Sequence, residues 1–294
     1  MSTPSIDVVI PAHNAAATIE RAIRGVLEQD LEHFSLIVVD DGSTDTTADV
    51  VTAIGDPRIE LHSTEQRGVS AARNRGVEIG SADIIVFLDA DDEPLQGWLR
   101  WLATPGLPLV RCGYIAVEPD GTTKRIDGTD TALLPGAFAV SRPLFTQVGG
   151  YDEEFTHSEN TDLWMRLRDV LSPQNTPVAY IDQPLARRYR PAAATATKYG
   201  HAALVDASER LLTKHGASMS TEAIASHSAV AGYNSLALGQ RQRAKQHLKR
   251  AVRLTPYRWR YLVRLAQAYV PAHRGKREGT APDSPNRTQK NVPR

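Results

Sequence analysis

Residues 83–92 read Asp83-Ile84-Ile85-Val86-Phe87-Leu88-Asp89-Ala90-Asp91-Asp92. The apolar part, Ile84 to Leu88, is rich in β-branched side chains and stops abruptly at an acid, which is the pattern of a short strand buried on both faces. Two runs of the same kind lie upstream, Ile6-Asp7-Val8-Val9-Ile10 and Phe34-Ser35-Leu36-Ile37-Val38-Val39, with a weaker one from Ile59 to His62. Between them, Ile19, Ile23, Val26 and Leu27 fall on one helical face, as do Val69, Ala72, Gly76 and Val77. Strands alternating with helices of this length imply right-handed crossovers and an α/β fold with a mainly parallel sheet. In such a sheet ligands bind beyond the carboxyl ends of the strands.

The pattern changes after residue 105. Leu109 to Val117, a Pro119-Asp120-Gly121 turn and Thr122 to Ile126 predict a hairpin added antiparallel to the sheet. A helix is expected over Asp162 to Leu171, a strand over Val178 to Ile181, and helix alone from about residue 196. Gly232, Gly239, Ala244, Leu248, Ala251 and Pro256 match the later positions of a tetratricopeptide-like helix pair. One such pair predicts a helical cap rather than a solenoid. The expected division is therefore an α/β unit at 1–195, a helical extension at 196–270, and a disordered basic tail at 271–294.

Composition narrows the function classes. Lysine plus arginine and aspartate plus glutamate each number 34, a formal charge of +0, which argues against a nucleic acid partner bound by bulk electrostatics. Cys112 is the single cysteine, so no intrachain disulfide can form. The amino terminus lacks the order of a secretory signal, and Ile84 to Leu88 is far shorter than the ~20 residues of a membrane span. A cytoplasmic location is the expectation. The segment Tyr257 to Val270 mixes Trp259, Tyr261, Leu262, Leu265 and Tyr269 with Arg258, Arg260 and Arg264. Such a helix either packs on its neighbours or makes peripheral contact with the inner face of the plasma membrane.

The strand ends hold the chemistry. Pro11-Ala12-His13-Asn14 is a turn into a helix, with Asn14 a candidate N-cap. Asp40-Asp41-Gly42-Ser43-Thr44-Asp45 can hydrogen-bond a base or ribose, or can simply cap the helix that follows. Asp89, Asp91 and Asp92 are a stronger signal, because three carboxylates in four positions behind an apolar run repel one another and lose hydration. A hard divalent cation, Mg²⁺ or Mn²⁺, answers that need.

Four segments together resemble the successive motifs of family 2 glycosyltransferases: Val8 to Asn14, Val38 to Asp45, Gly68-Val69-Ser70-Ala71-Ala72-Arg73-Asn74-Arg75-Gly76, and Phe87 to Asp92. The likeness continues through Val148-Gly149-Gly150-Tyr151-Asp152-Glu153 and Leu163-Trp164-Met165-Arg166-Leu167. It implies a GT-A fold, Rossmann-like, with a nucleotide-sugar donor, most often of uridine diphosphate. It also implies inverting transfer to a hydroxyl of a glycan or lipid-linked acceptor in cell-surface polysaccharide synthesis. In that family's terms Pro11, Asn14, Asp41, Arg73 and Asp89 would serve the nucleotide, and Asp89 and Asp91 the metal. The family's catalytic base is an aspartate where this chain has Asn160, and an amide cannot accept a proton at neutral pH. Glu159 is the first replacement and Asp162, three residues on, the second. Arg187, Arg188 and Arg190 are candidates for holding the diphosphate. The alternative is a nucleotide-sugar-binding partner protein with little or no catalysis.

Overall fold

The computed structural model describes residues 5–31, 33–128, 133–172, 176, 178–190 and 200–270. Strand β1 (Ile6–Ala12) is buried at every position because it lies between β2 (Ser35–Asp41) and β4 (Ile84–Phe87), both parallel to it. β3 (Ile59–Thr64) adds to β2, again parallel, and is only half-buried. The crossovers are α1 (Ile19–Leu27), α2 (Thr47–Ile54) and α3 (Val69–Ile79). α1 buries Ile19, Ala22, Ile23 and Val26, the one-sided spacing of an amphipathic helix. α3 approaches β1 so closely that a Cβ at Gly76 would lie 2.4 Å from Val9, so only glycine fits there.

The second half makes the sheet mixed, antiparallel except along one parallel pair. β6 (Leu109–Val117) and β7 (Thr123–Ile126) form the expected hairpin. β8 (Phe138–Ser141), which sequence reading missed, inserts antiparallel between β4 and β6. β9 (Val178–Tyr189) starts where expected but runs eight residues past Ile181, parallel to β6 with irregular register, and its far end pairs with the two-residue β5 (Glu93–Pro94). The order across the sheet is β3-β2-β1-β4-β8-β6-β9-β5, with β7 on β6. Helices α4 (Trp98–Leu102), α5 (Arg142–Gln147) and α6 (Glu159–Leu171) complete the layers. Buried Asp7 ties them together, accepting from the Ala82 amide at 2.8 Å and from Arg142 at 2.6 Å.

Four helices follow: α7 (Gly200–His215), α8 (Thr221–Ala237), α9 (Arg241–Leu254) and α10 (Trp259–Tyr269). Leu211, Leu212 and Met219 pack with Phe155 and Met165, seating α7 on α6. Gly232 faces Leu248 across the α8–α9 pair, and Ala244, Leu248 and Ala251 are fully buried. The expected tail at 271–294 lies outside the described residues. No described helix is long and apolar enough to cross a membrane.

Candidate functional site

The carboxyl ends of β1, β2 and β4 converge on one set of loops, and two residues expected to touch a nucleotide hold those loops together. Asn14 adopts φ +50°, donates its backbone N–H to Ser43 Oγ at 2.9 Å, and accepts at Oδ1 from the amides of Thr44 and Asp45. It is not an N-cap, because α1 begins five residues later, after Thr18. Asp41 is buried and accepts from the backbone amides of Arg67 at 2.7 Å and Gly68 at 2.8 Å, which fixes the loop entering α3. Pro11 is buried within β1 beside Val39. The helix-capping alternative for Asp45 is partly realised, since it accepts from the Thr47 amide at 3.0 Å.

Asp89, Asp91 and Asp92 gather at the end of β4, with one oxygen of each lying within 4.8 Å of the others. Asp91 is exposed and Asp92 buried. Arg188 reaches Asp92 at 3.1 Å and Asp89 at 3.7 Å, and the Tyr189 amide donates to Asp92 at 3.1 Å. Of the three arginines considered after the last strand, Arg188 is thus the one on this cluster; Arg187 pairs with Glu93 and Arg190 with Glu118. Burial, then repulsion from Asp89, pushes the Asp92 carboxyl well above its ordinary range, against the pull of Arg188.

Arg73 links this cluster to α6. Its guanidinium is buried, donating to Asp89 at 2.7 Å and to Glu159 Oε1 at 3.0 Å, while its Nε has no partner among the described residues. It lies 5.0 Å from the Tyr151 ring. Arg73 therefore sets two carboxylates rather than lying open to a nucleotide. Among the described residues, the ion pairs of Asp89, Asp92 and Glu159 draw on only two cations, Arg73 and Arg188.

Glu159 opens α6. Its Oε1 also accepts from Asn160 Nδ2 at 2.7 Å, and Asn160 in turn accepts from the Tyr151 hydroxyl at 3.0 Å. Oε2 makes no hydrogen bond among the described residues, and Arg73 links the carboxylate to Asp89. Asp162 is different. It has no exposed surface, and accepts from Arg166 at 2.8 Å and from His215 at 2.7 Å, with Lys214 Nζ also at 2.7 Å. An enclosed carboxylate held by three basic side chains cannot meet an acceptor hydroxyl, so the expectation of a base at Asp162 gives way to a fastening between α6 and α7.

Arg21 and Tyr189 were not singled out from sequence. Arg21 stacks 3.9 Å from the Tyr189 ring and donates to the Asp91 carbonyl, bracing the acidic turn. His157 is half-buried near Glu159; burial lowers its pKa and Glu159 opposes that. Neither set carries a local signal, since each depends on chain segments brought together only by the sheet.

Residues 7–105 match the family model described as Glycosyl transferase family 2. A Campylobacter jejuni protein named GalNAc(5)-diNAcBac-PP-undecaprenol beta-1,3-glucosyltransferase is 35% identical over 186 residues, covering 56% of this chain and 60% of that protein. An uncharacterised Mycobacterium tuberculosis protein is 38% identical over 228 residues, covering 66% and 70%. The chain spans 56% and 50% of the length of two other curated relatives that it matches, from Haemophilus influenzae and Bacillus subtilis. Among solved structures, Staphylococcus aureus TarS 1-349 in complex with UDP-GlcNAc superposes with a TM-score of 0.61 at 14% identity, covering 90% of this chain and 89% of that one. The mannosyltransferase PcManGT of Pyrobaculum calidifontis, in complex with GDP-Man and Mn²⁺, gives 0.57 at 20% identity, covering 91% and 87%. The fold is GT-A, and with its motifs in order along the first half of the sheet this chain belongs to the family 2 glycosyltransferases.

Proposed function

We propose that this chain transfers a sugar from a nucleoside-diphosphate donor, a uridine diphosphate sugar first, to a hydroxyl of a glycan or lipid-linked acceptor, with inversion, in cell-surface glycan synthesis. The observation that carries this reading is the group of Asp89, Asp91 and Asp92 converging at the strand ends, one oxygen of each within 4.8 Å of the others. Its donors are all carboxylate oxygens, the set that a hard ion such as Mg²⁺ or Mn²⁺ takes. Asp89 and Asp91 would hold that ion, while Arg188 and the Tyr189 amide steady Asp92. When bound, the ion offsets the charge of the departing diphosphate.

Asn14 and Asp41 keep the loops around the nucleotide in one shape, and Arg73 aims Asp89 and Glu159. Glu159 Oε2 takes the proton of the acceptor hydroxyl as that oxygen bonds to the anomeric carbon. The bond from that carbon to the phosphate oxygen breaks on the opposite face, and the diphosphate leaves with the electron pair. In this reading residues 1–195 act as the catalytic unit, and 196–270 as a helical extension bracing α6. The names of the Campylobacter relative and the ligands of the two solved neighbours support the donor and acceptor classes.

Thermal-shift screening of nucleoside diphosphates and nucleotide sugars, with and without Mn²⁺, tests it. A ligand at a hundredfold excess over Kd stabilises by about 2.7 kcal/mol, a rise of roughly 5–10 °C in Tm. Absence of any nucleotide-dependent shift overturns the reading. Asn160 favours one second reading, a binding partner without turnover; a Mn²⁺-dependent shift without release of nucleoside diphosphate, even to water, selects it.

A further inference from the structure

Helix α10 has two apolar faces and a packing partner for one of them. Tyr261, Leu265 and Ala268 face α8 and α9. On the opposite side Trp259, Leu262, Val263 and Ala266 recur at the i, i+3, i+4, i+7 spacing of a single helical stripe. That stripe is uncovered by any described residue: Trp259 is 64% exposed, Leu262 47% and Val263 44%. Tyr257, Tyr269 and Val270, each more than half exposed, lengthen it at both ends.

The rim of this patch is basic. Arg260 lies 5.8 Å from the Trp259 ring on one flank, with exposed Arg264 one turn along. On the other flank Lys245 Nζ sits 4.3 Å from the Tyr269 ring and Lys249 Nζ 5.9 Å. Between Ala223 and Val270 the sequence holds seven arginines, two lysines and no aspartate or glutamate, in a chain whose formal charge is +0. Arg243 pairs with Glu209 and Asp206 of α7, while the other eight cations of this stretch form no ion pair among the described residues.

We infer that the outer face of α9 and α10 docks on an anionic lipid bilayer, with α10 lying in the plane of the interface. Each part of the surface matches that occupant. Trp and Tyr rings suit headgroup depth, the Leu262 and Val263 side chains the acyl boundary beneath, and Arg and Lys the lipid phosphates. A second copy of this chain would bring the same unbalanced cations against one another. A nucleic acid would satisfy the cations but leave the leucine and valine stripe in water. The inference rests on this surface alone and is independent of the chemistry at Asp89 to Asp92.

The test is sedimentation of the full chain with vesicles of phosphatidylcholine, alone or mixed with phosphatidylglycerol. Binding is expected only to the mixed vesicles, weakening as salt is raised. A Trp259→Ser, Leu262→Ser double variant and an Arg260→Glu, Arg264→Glu double variant should each lower the partition coefficient roughly tenfold or more. All four positions are exposed, and circular dichroism checks that both variants fold. Equal binding to the two vesicle types overturns the inference, as does binding unchanged in either variant. So does a concentration-dependent dimer in analytical ultracentrifugation that the serine variant abolishes, or tighter binding to duplex DNA than to mixed vesicles.

Discussion

Two clusters of carboxylates meet helix α6, one tied to its first residue through Arg73 and Glu159 and the other built on Asp162, and their surroundings differ in sign. At the end of β4, Asp92 is pushed above the ordinary carboxylate range by burial and by Asp89, with Arg188 too little to reverse it. At the seam of α6 and α7, burial would likewise raise Asp162, but hydrogen bonds from Lys214, His215 and Arg166 outweigh it and hold the carboxyl below its ordinary value. Asp152 beside it is also lowered, because Lys214 overcomes the effect of burial there. The second cluster is complete in itself. The first gathers three carboxylates at an edge where Asp91 is exposed, with Arg188 reaching Asp89 and Asp92. Glu159 and Asp162, a single helical turn apart, thus belong to different kinds of chemistry.

Removing charge from the first cluster is the severest way to break the contrast. Asp91→Ala should lower turnover by about 10³-fold or more, since a bound divalent ion contributes several kcal/mol to charge stabilisation. Isothermal titration with Mn²⁺ in the presence of nucleoside diphosphate checks the cause: the metal-dependent heat should vanish. Unchanged manganese affinity would remove Asp91 from the site. Glu159→Gln comes next, with turnover down by about 10²-fold or more and nucleotide binding intact. The amide oxygen can still accept from Arg73 and Asn160, so these hydrogen bonds survive while the ion pair with Arg73 and the proton acceptor are lost. Unaltered turnover would exclude Glu159 as the base.

How much of this contrast could be read in the sequence follows from the range of the interactions. The run Ile84 to Leu88 and its acidic stop are local, so both the strand and the cation-seeking cluster are visible in ten consecutive residues. The four-residue β8 and two-residue β5 carry no comparable pattern; they are strands only because β4, β6 and β9 offer them edges. Asp162 has the same difficulty. Its neighbours in sequence make it a helix-start acid, whereas Lys214 and His215, on a different helix, turn it into a buried anchor. Asn14 was legible as a residue that organises a turn, but its partners at Ser43 to Asp45 belong to the next strand's loop.

Breaking the second cluster should spare chemistry and damage stability. Asp162→Asn leaves half-buried Arg166 and buried His215 against a neutral amide, and loss of the charged partner from such a network costs up to about 3–5 kcal/mol. Urea denaturation should show that loss, while the activity of the remaining folded enzyme stays within a few-fold of the parent. Equal losses of stability and specific activity would mean that α6 is not held independently of its first turn.

Acid provides a gentler and reversible version. Asp152 and Asp162 have folded-state pKa values below their ordinary 3.8, so the stability they contribute is fully present above that value. It is lost as pH falls through the depressed folded values. Asp92 runs the other way: with a raised folded pKa, its charge burdens the fold at neutral pH, and protonation relieves that burden as pH falls through the raised value. Thermal melts from pH 7 downward should therefore hold steady or rise slightly through the mildly acidic range, then drop below about pH 4. In Asp162→Asn the final drop should be shallower. The same drop in parent and variant would assign it to other carboxylates.

The weakest perturbation tests whether burial, and not merely the presence of a cation, separates the two kinds of site. Arg210 also joins α7 to the segment before α6, through Glu154, but both side chains are largely exposed. Water screens such a pair, and ordering two long side chains consumes most of the attraction, so exposed ion pairs contribute about 0–1 kcal/mol. Arg210 also lies 5.7 Å from the Phe155 ring, and its aliphatic stem adds some packing there. Arg210→Ala should thus shift stability by no more than about 1 kcal/mol, and a double variant with Glu154→Ala should add almost nothing further. A loss as large as that of Asp162→Asn would show that the seam between α6 and α7 depends on its rim as much as on its buried carboxylate.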